Sequence, residues 1–386
     1  MTALRRCLPP ALALALCLLP SLAQAAASGV NRFTGEPSCA SSSCHGGGVG
    51  RDQCVIFVKK DIHNHTHEIL TKAQSTRLAE GLGIVDATKD ARCTICHSPF
   101  ESVSADRFMP GVKREQGVSC ETCHGAAESW LRFHTRKDIT HDQRIGAGLR
   151  ETTGLYARAN VCVACHLNID PQLIKAGHPE MFFELDGQTR TEPPHWKEEQ
   201  DPWLGPRTWL VGQAAALREL SWSLSRQPAN RAADQPGEQN NADLIARWQA
   251  LQWLLKKSAT SSQLPEGAGA KYSVVQASAD RLARSASTAK WTRDSTLATL
   301  KRLAASNNEF HEEAVTPAEQ RRRAELVVLG VDRLWQALKA GGLASPTLEI
   351  ALGAAQGLSK AQTDFDPARF AAALQQIEVA LELLGK

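Results

Sequence analysis

Cys93-Thr94-Ile95-Cys96-His97, Cys120-Glu121-Thr122-Cys123-His124 and Cys162-Val163-Ala164-Cys165-His166 are three copies of one short phrase, all lying between residues 93 and 166. Cys-x-x-Cys-His is the pattern of c-type haem attachment: two thiols add to the porphyrin vinyl groups, and the adjoining imidazole reaches the iron. One copy arises easily by chance; three in succession do not. The rest of the chain is read outward from them.

Upstream, Cys39-Ala40-Ser41-Ser42-Ser43-Cys44-His45 is a stretched version of the same phrase, with four residues between the thiols. A longer loop still presents both sulfurs, and His45 directly follows the second. The competing reading pairs Cys39 with Cys54 in a disulfide and makes His45 incidental. Beside three regular motifs the repeat favours a fourth site. Four covalently attached haem c groups are therefore expected on Cys39, Cys44, Cys93, Cys96, Cys120, Cys123, Cys162 and Cys165, with His45, His97, His124 and His166 as first axial ligands. Cys54 is left over and reads as a buried thiol.

The 386 residues allow two or three domains, and 42% hydrophobic with 22% charged residues is ordinary for a soluble protein. A net charge of +3 gives no argument for nucleic acid. Eleven cysteines suit a secreted disulfide scaffold, but the paired spacing with His after each second Cys argues against one. Residues 1–25 read as a cleavable signal peptide: Arg5 and Arg6, an apolar Leu/Ala run, then Ala23-Gln24-Ala25. The run is short and broken by Pro9, Pro10 and Pro20, which argues against a membrane anchor. The expected location is the periplasm or another extracytoplasmic space, with no membrane span after cleavage.

The second axial ligand decides the chemistry: two histidines saturate an iron for electron transfer, whereas an open position admits substrate. The remaining histidines are His63, His65, His67, His134, His141, His178, His195 and His311. His311 lies in an acidic run far from the motifs and reads as a surface residue. His141 sits between Asp138 and Asp142 and reads as part of a solvated loop. Residues 28–60 are Ser- and Gly-rich and read as irregular; Ile69, Leu70, Ala73, Leu78 and Leu82 mark a helix entered from the His63–His67 cluster.

Beyond about residue 205 the character changes to long helical patterns. Helices are expected over roughly 206–225, 241–258, 270–285 and 291–305. Thr316 and Glu319 form a capping-box pattern before the stripe Val327, Val331, Leu334, Leu338; Ser345-Pro346 and Asp366-Pro367 open two more helices, the last with Phe370, Leu374, Ile377, Leu381 and Leu384. The expected fold is mainly α. A haem domain of short helices and loops (26–225) is joined by a linker (226–240) to an α-helical bundle (241–386), which serves as a scaffold, a dimer surface or a partner-docking unit.

Gly117-Val118-Ser119-Cys120-Glu121-Thr122-Cys123-His124-Gly125 resembles the GV-x-CE-x-CHG signature of multihaem cytochromes c, among them the tetrahaem cytochromes that accept electrons from hydroxylamine oxidoreductase. Cys39 to Gly46, Asp61-Ile62-His63 with Leu70, Trp130 with His134, Ala176-Gly177-His178-Pro179, Phe183-Glu184-Leu185 and Pro194-His195-Trp196 resemble further segments of that family, over roughly residues 37–225. The resemblance implies a tetrahaem fold with distal ligands at His63, His134, His178 and His195. The chain departs from the pattern at Ile62, where Pro is usual, and in its extra His65 and His67.

These readings lead to a periplasmic carrier that passes electrons between redox partner proteins through bis-His haems, an electron-transfer protein more than a substrate-converting enzyme. The alternative is a multihaem oxidoreductase acting on a small nitrogen or sulfur compound at one open haem, with His65, His67 or His141 as acid/base group. A third reading, a zinc or disulfide-stapled binding protein, uses Cys-x-x-Cys pairs but has no need of a His after each.

Overall fold

The structure is a computed structural model that describes residues 30–167, 169–198, 200–226, 238–258, 264–265, 271–361 and 364–384. The expected signal peptide and most of the expected linker lie outside these residues. The fold is mainly α; among the described residues the only β pairing is an isolated bridge between Phe33 and Phe108.

The N-terminal half is built of short pieces: α1 (Gln53–Lys60), α2 (Thr66–Leu70), α3 (Ala73–Gly81), α4 (Ala91–His97), α5 (Cys120–His124), α6 (His141–Gly146), α7 (Leu155–His166), α8 (Pro171–Lys175) and α9 (Leu185–Thr191). Each regular Cys-x-x-Cys-His motif ends a helix: α4, α5 and α7 all stop at the motif histidine. Apolar burial here is thin. Among the described residues, a small separate core cluster is made by Leu70, Ala79, Ile84, Ala87 and Cys93.

The long helices follow: α10 (Leu204–Ser225), α11 (Glu238–Ser258), α12 (Tyr272–Thr288), α13 (Arg293–Ala304), α14 (Pro317–Ala340), α15 (Pro346–Ser359) and α16 (Pro367–Leu383). Their buried stripes, including Val327, Val331, Leu334 and Leu338 of α14 and Phe370, Leu374, Ile377 and Leu381 of α16, form one continuous core. Although α10 closes the 26–225 stretch in chain order, Trp209, Val211, Leu217 and Leu220 on it lie in that same core. The α7 helix joins the two halves. Leu155, Ala159 and Val163, four residues apart on one face, enter the bundle core, and Cys162, Cys165 and His166 at the C-terminal end of the same helix line a cavity.

Several local expectations are corrected. The 28–60 stretch is not wholly irregular, since α1 brings Cys54 and Phe57 inward. The helix expected after the His cluster is two, broken at Thr71-Lys72, where Ser75 Oγ donates to Ile69 O at 2.7 Å. His141 begins the capped helix α6 instead of lying in a loop, and it is exposed. The Thr316 capping box is half formed: Thr316 Oγ accepts from Glu319 N at 3.2 Å, but the Glu319 carboxylate is taken by Arg323 at 2.7 Å. Elsewhere the caps are as read: Ser345 and Asp366 accept from the first-turn amides of α15 and α16. No helix of the described residues is long and apolar enough to cross a membrane.

Candidate functional site

A cavity of about 2150 Å³ occupies the N-terminal half. A pocket for one drug-sized ligand spans about 300–1,000 Å³, so this one has room for several large groups. All eight motif cysteines (Cys39, Cys44, Cys93, Cys96, Cys120, Cys123, Cys162, Cys165) and the histidines His45, His97, His124, His166, His63, His134, His178 and His195 line it. His65, His67 and His141 are not on the lining.

The lining histidines face one another in pairs that cross large sequence distances. Ring centres of His45 and His134 are 6.2 Å apart, those of His63 and His166 5.8 Å, and those of His97 and His178 6.2 Å. His195 lies near His124, where burial lowers the His124 pKa and the neighbouring His195 lowers it further. These distances fit haem. Two metal–nitrogen bonds of about 2.0 Å, plus the distance from each nitrogen to its ring centre, would place two imidazoles that share one metal about 6 Å apart.

Tautomers are fixed from the far side of the rings. Nδ1 of His63 donates to Asp61 Oδ1 at 2.8 Å; an ionised carboxylate only accepts, so Nε2 carries the free lone pair. Carbonyl oxygens do the same for His134 (Trp130, 3.1 Å), His178 (Pro179, 2.8 Å), His97 (Thr66, 3.3 Å) and His195 (Pro193, 3.4 Å). His65 differs: Nε2 points to Val58 O at 3.1 Å and Nδ1 to Glu68 at 3.5 Å, so both nitrogens are engaged by the protein. Burial lowers the pKa of His97, His166 and His195, which favours the neutral imidazole that binds metal.

No disulfide joins the described cysteines, so Cys39 is not tied to Cys54, which is buried beside Glu36. Burial pushes the Cys123 and Cys162 thiols up to about 12. Such a site disfavours thiolate and tolerates an uncharged thioether. Thiols of different motifs lie close together: Cys39 beside Cys120, Cys96 beside Cys165, and Cys123 near Cys162. In space the motifs therefore run 39/44, 120/123, 162/165, 93/96. Among the described residues, Asp61, His63 and Glu192 are the one group of three potential ligand atoms within 4.8 Å of one another, so no Cys pair converges with two further ligands as a closed zinc site requires.

Residues outside the motifs hold the cavity walls. Glu121, 1% exposed inside the second regular motif, accepts from the backbone N–H of Thr34 (2.9 Å), Gly35 (2.7 Å) and Ala127 (2.8 Å). It ties the N-terminal segment and the 125–130 loop to α5. Gly125, directly after His124, has φ +85°, and a Cβ there would also sit 2.8 Å from Gly148 O. Gly117 packs so closely on the His63 carbonyl that a Cβ would lie 2.8 Å from its oxygen. The arm carrying His178 is pinned to the bundle: Glu180 pairs with Arg322 at 2.7 Å and with Arg247, and Glu184 pairs with Arg333 at 3.0 Å. Arg158 of α7 pairs with Glu198 at 3.2 Å and lies over the Trp196 ring, next to His195.

Residues 38–125 match the family model described as cytochrome c554 and c-prime. The chain carries a multihaem c-type cytochrome domain. This match supports a haem electron-transfer cytochrome with covalently bound haem c. The match spans the first three motifs and His63 of this cytochrome, and ends before His134, Cys162, His178 and His195. No curated protein and no solved structure gave a match.

Proposed function

We propose that this cytochrome is an extracytoplasmic tetrahaem carrier that passes electrons between redox partner proteins through four bis-His haems. The observation that carries the reading is the facing of His45 with His134, His63 with His166 and His97 with His178 at 5.8–6.2 Å, inside one cavity lined by all eight motif thiols. In this reading His124 pairs with His195, and His63 is preferred over His65 and His67 because it alone of the three lines the cavity. Haem supplies reversible one-electron chemistry at iron when bound. The protein's part is to hold His45, His63, His97, His134, His178 and His195 by the Nδ1 proton and to bury most of the lining rings. Lys60, Lys72, Arg92, Arg132, Arg150 and Arg158 on the lining offer positive charge for the haem propionates.

The spatial order of the motifs supports a continuous path, with exchange at its two ends. Cys44 in the first motif of the order and Ile95 in the last are exposed, whereas burial raises both Cys123 and Cys162 in the middle. The bundle acts in this reading as the scaffold that anchors α7 and the His178 arm. The apolar leader at 1–25 supports export. Electron paramagnetic resonance of the oxidised holoprotein tests the proposal. It predicts four low-spin haems and no binding of cyanide or nitric oxide; a high-spin haem that binds either contradicts it.

A further inference from the structure

Among the described residues, His63 alone of the lining imidazoles has a carboxylate as its hydrogen-bond partner. Asp61 is 1% exposed, and its Oδ1 accepts from both the backbone N–H of His63 at 3.0 Å and the ring Nδ1 at 2.8 Å. The partners of His97, His134, His178 and His195 are main-chain carbonyls, and those of His45 and His166 are the side-chain amides of Gln53 and Gln188. A buried carboxylate on Nδ1 gives the imidazole anionic character and makes it a stronger donor to iron, which stabilises the oxidised state over the reduced one. The carboxylate charge itself acts in the same direction, and its burial keeps it from being screened. The Asp61 backbone is extended and its side chain caps the 3₁₀ turn Ile62–His65, so the carboxylate is held in place before any ligand binds.

We infer that Asp61 is a positioning and tuning residue that, through His63, makes the haem attached at Cys162 and Cys165 the lowest-potential haem of the four. The inference rests on the bis-His reading above and assigns a redox rank that motif spacing alone does not supply. The electron then dwells least on that haem, which lies third in the spatial order of the motifs.

The experiment is a redox titration of the holoprotein followed by optical and electron paramagnetic resonance spectra, for wild type, Asp61→Asn and His63→Met. In wild type, the haem whose low-spin signal His63→Met alters is the last to be reduced. Asp61→Asn keeps a hydrogen-bond acceptor of the same shape and removes the charge. It shifts one reduction equilibrium at least tenfold toward the reduced form, about 59 mV for one electron. The other three midpoints stay in place and the haem remains low-spin. If no midpoint moves, if all four move together, or if the haem altered by His63→Met is not the lowest in wild type, the inference is overturned. If Asp61→Asn yields no holoprotein, the wild-type and His63→Met ranking decides alone. Failure of His63→Met to alter any haem would instead overturn the ligand reading, which keeps the two failures apart.

Discussion

His45 and His134 face each other with ring planes 12° from parallel, whereas His97 and His178 meet at 75° and His63 and His166 at 62°. Axial imidazole planes set the splitting of the iron π orbitals: parallel planes separate them, and perpendicular planes leave them nearly degenerate. The haem at Cys39/Cys44 should therefore give a rhombic low-spin spectrum, and those at Cys93/Cys96 and Cys162/Cys165 strongly anisotropic ones. Substituting His134→Met should remove the rhombic signal and spare the others. Loss of an anisotropic signal instead would break the pairing of His45 with His134.

Glu121 makes a stability prediction. Its carboxylate accepts three backbone N–H bonds at 2.7–2.9 Å in a fully buried place. Glu121→Gln turns one acceptor into a donor that faces donors, at a cost of about 1–3 kcal/mol for the group left unsatisfied. The thermal midpoint of the holoprotein should fall by a few degrees or more, while His124 still ligates. An unchanged midpoint would show that the segment around Thr34 is held by something else.

Acid should weaken the joint between α7 and the bundle. Asp280 accepts from Tyr156 Oη at 2.6 Å, Arg218 at 3.0 Å and Arg284 at 2.9 Å. Burial works against its ionisation, but these three donors outweigh it and hold the carboxyl at about 2. A depressed acid contributes stability that is present above its unfolded value, near 4, and is lost as pH falls toward 2. Asp280→Asn should lower the unfolding midpoint at pH 7 and make little difference at pH 2. An equal loss at both values would mean that the carboxylate charge is not what Tyr156 and the arginines hold.

Haem removal should affect the two halves unequally. Among the described residues the N-terminal half has little apolar core of its own, a small cluster around Leu70 and Ile84 and the packed rings of Phe33, Phe100 and Phe108, whereas the bundle core is continuous through α10 to α16. Polypeptide made without the haem-attachment machinery should lose residues 30–150 to limited proteolysis and keep a resistant helical fragment beginning near α10. Cooperative, protease-resistant folding of the N-terminal half without haem would contradict this.

The long helices were legible because a burial stripe of period 3.6 reports directly on one-sided packing. Phe370, Leu374, Ile377 and Leu381 are all buried, as their spacing implies. The regular motifs were legible because covalent attachment imposes fixed spacing. What spacing could not reveal was which imidazoles meet. His45 and His134 come together from 89 positions apart, and His63 and His166 from 103. Nor could it separate His63 from His65 two residues on, since only their directions differ: one ring turns to Asp61 and the cavity, the other to Val58 O. Glu121 stood inside the quoted signature, yet nothing local shows that its partners are Thr34, Gly35 and Ala127.

Intact mass of the mature protein tests the central claim most directly. The account predicts a polypeptide that begins at Ala26 and carries four covalently bound haems. A mass with three haems, together with alkylation of Cys39 and Cys44 as free thiols, would contradict it.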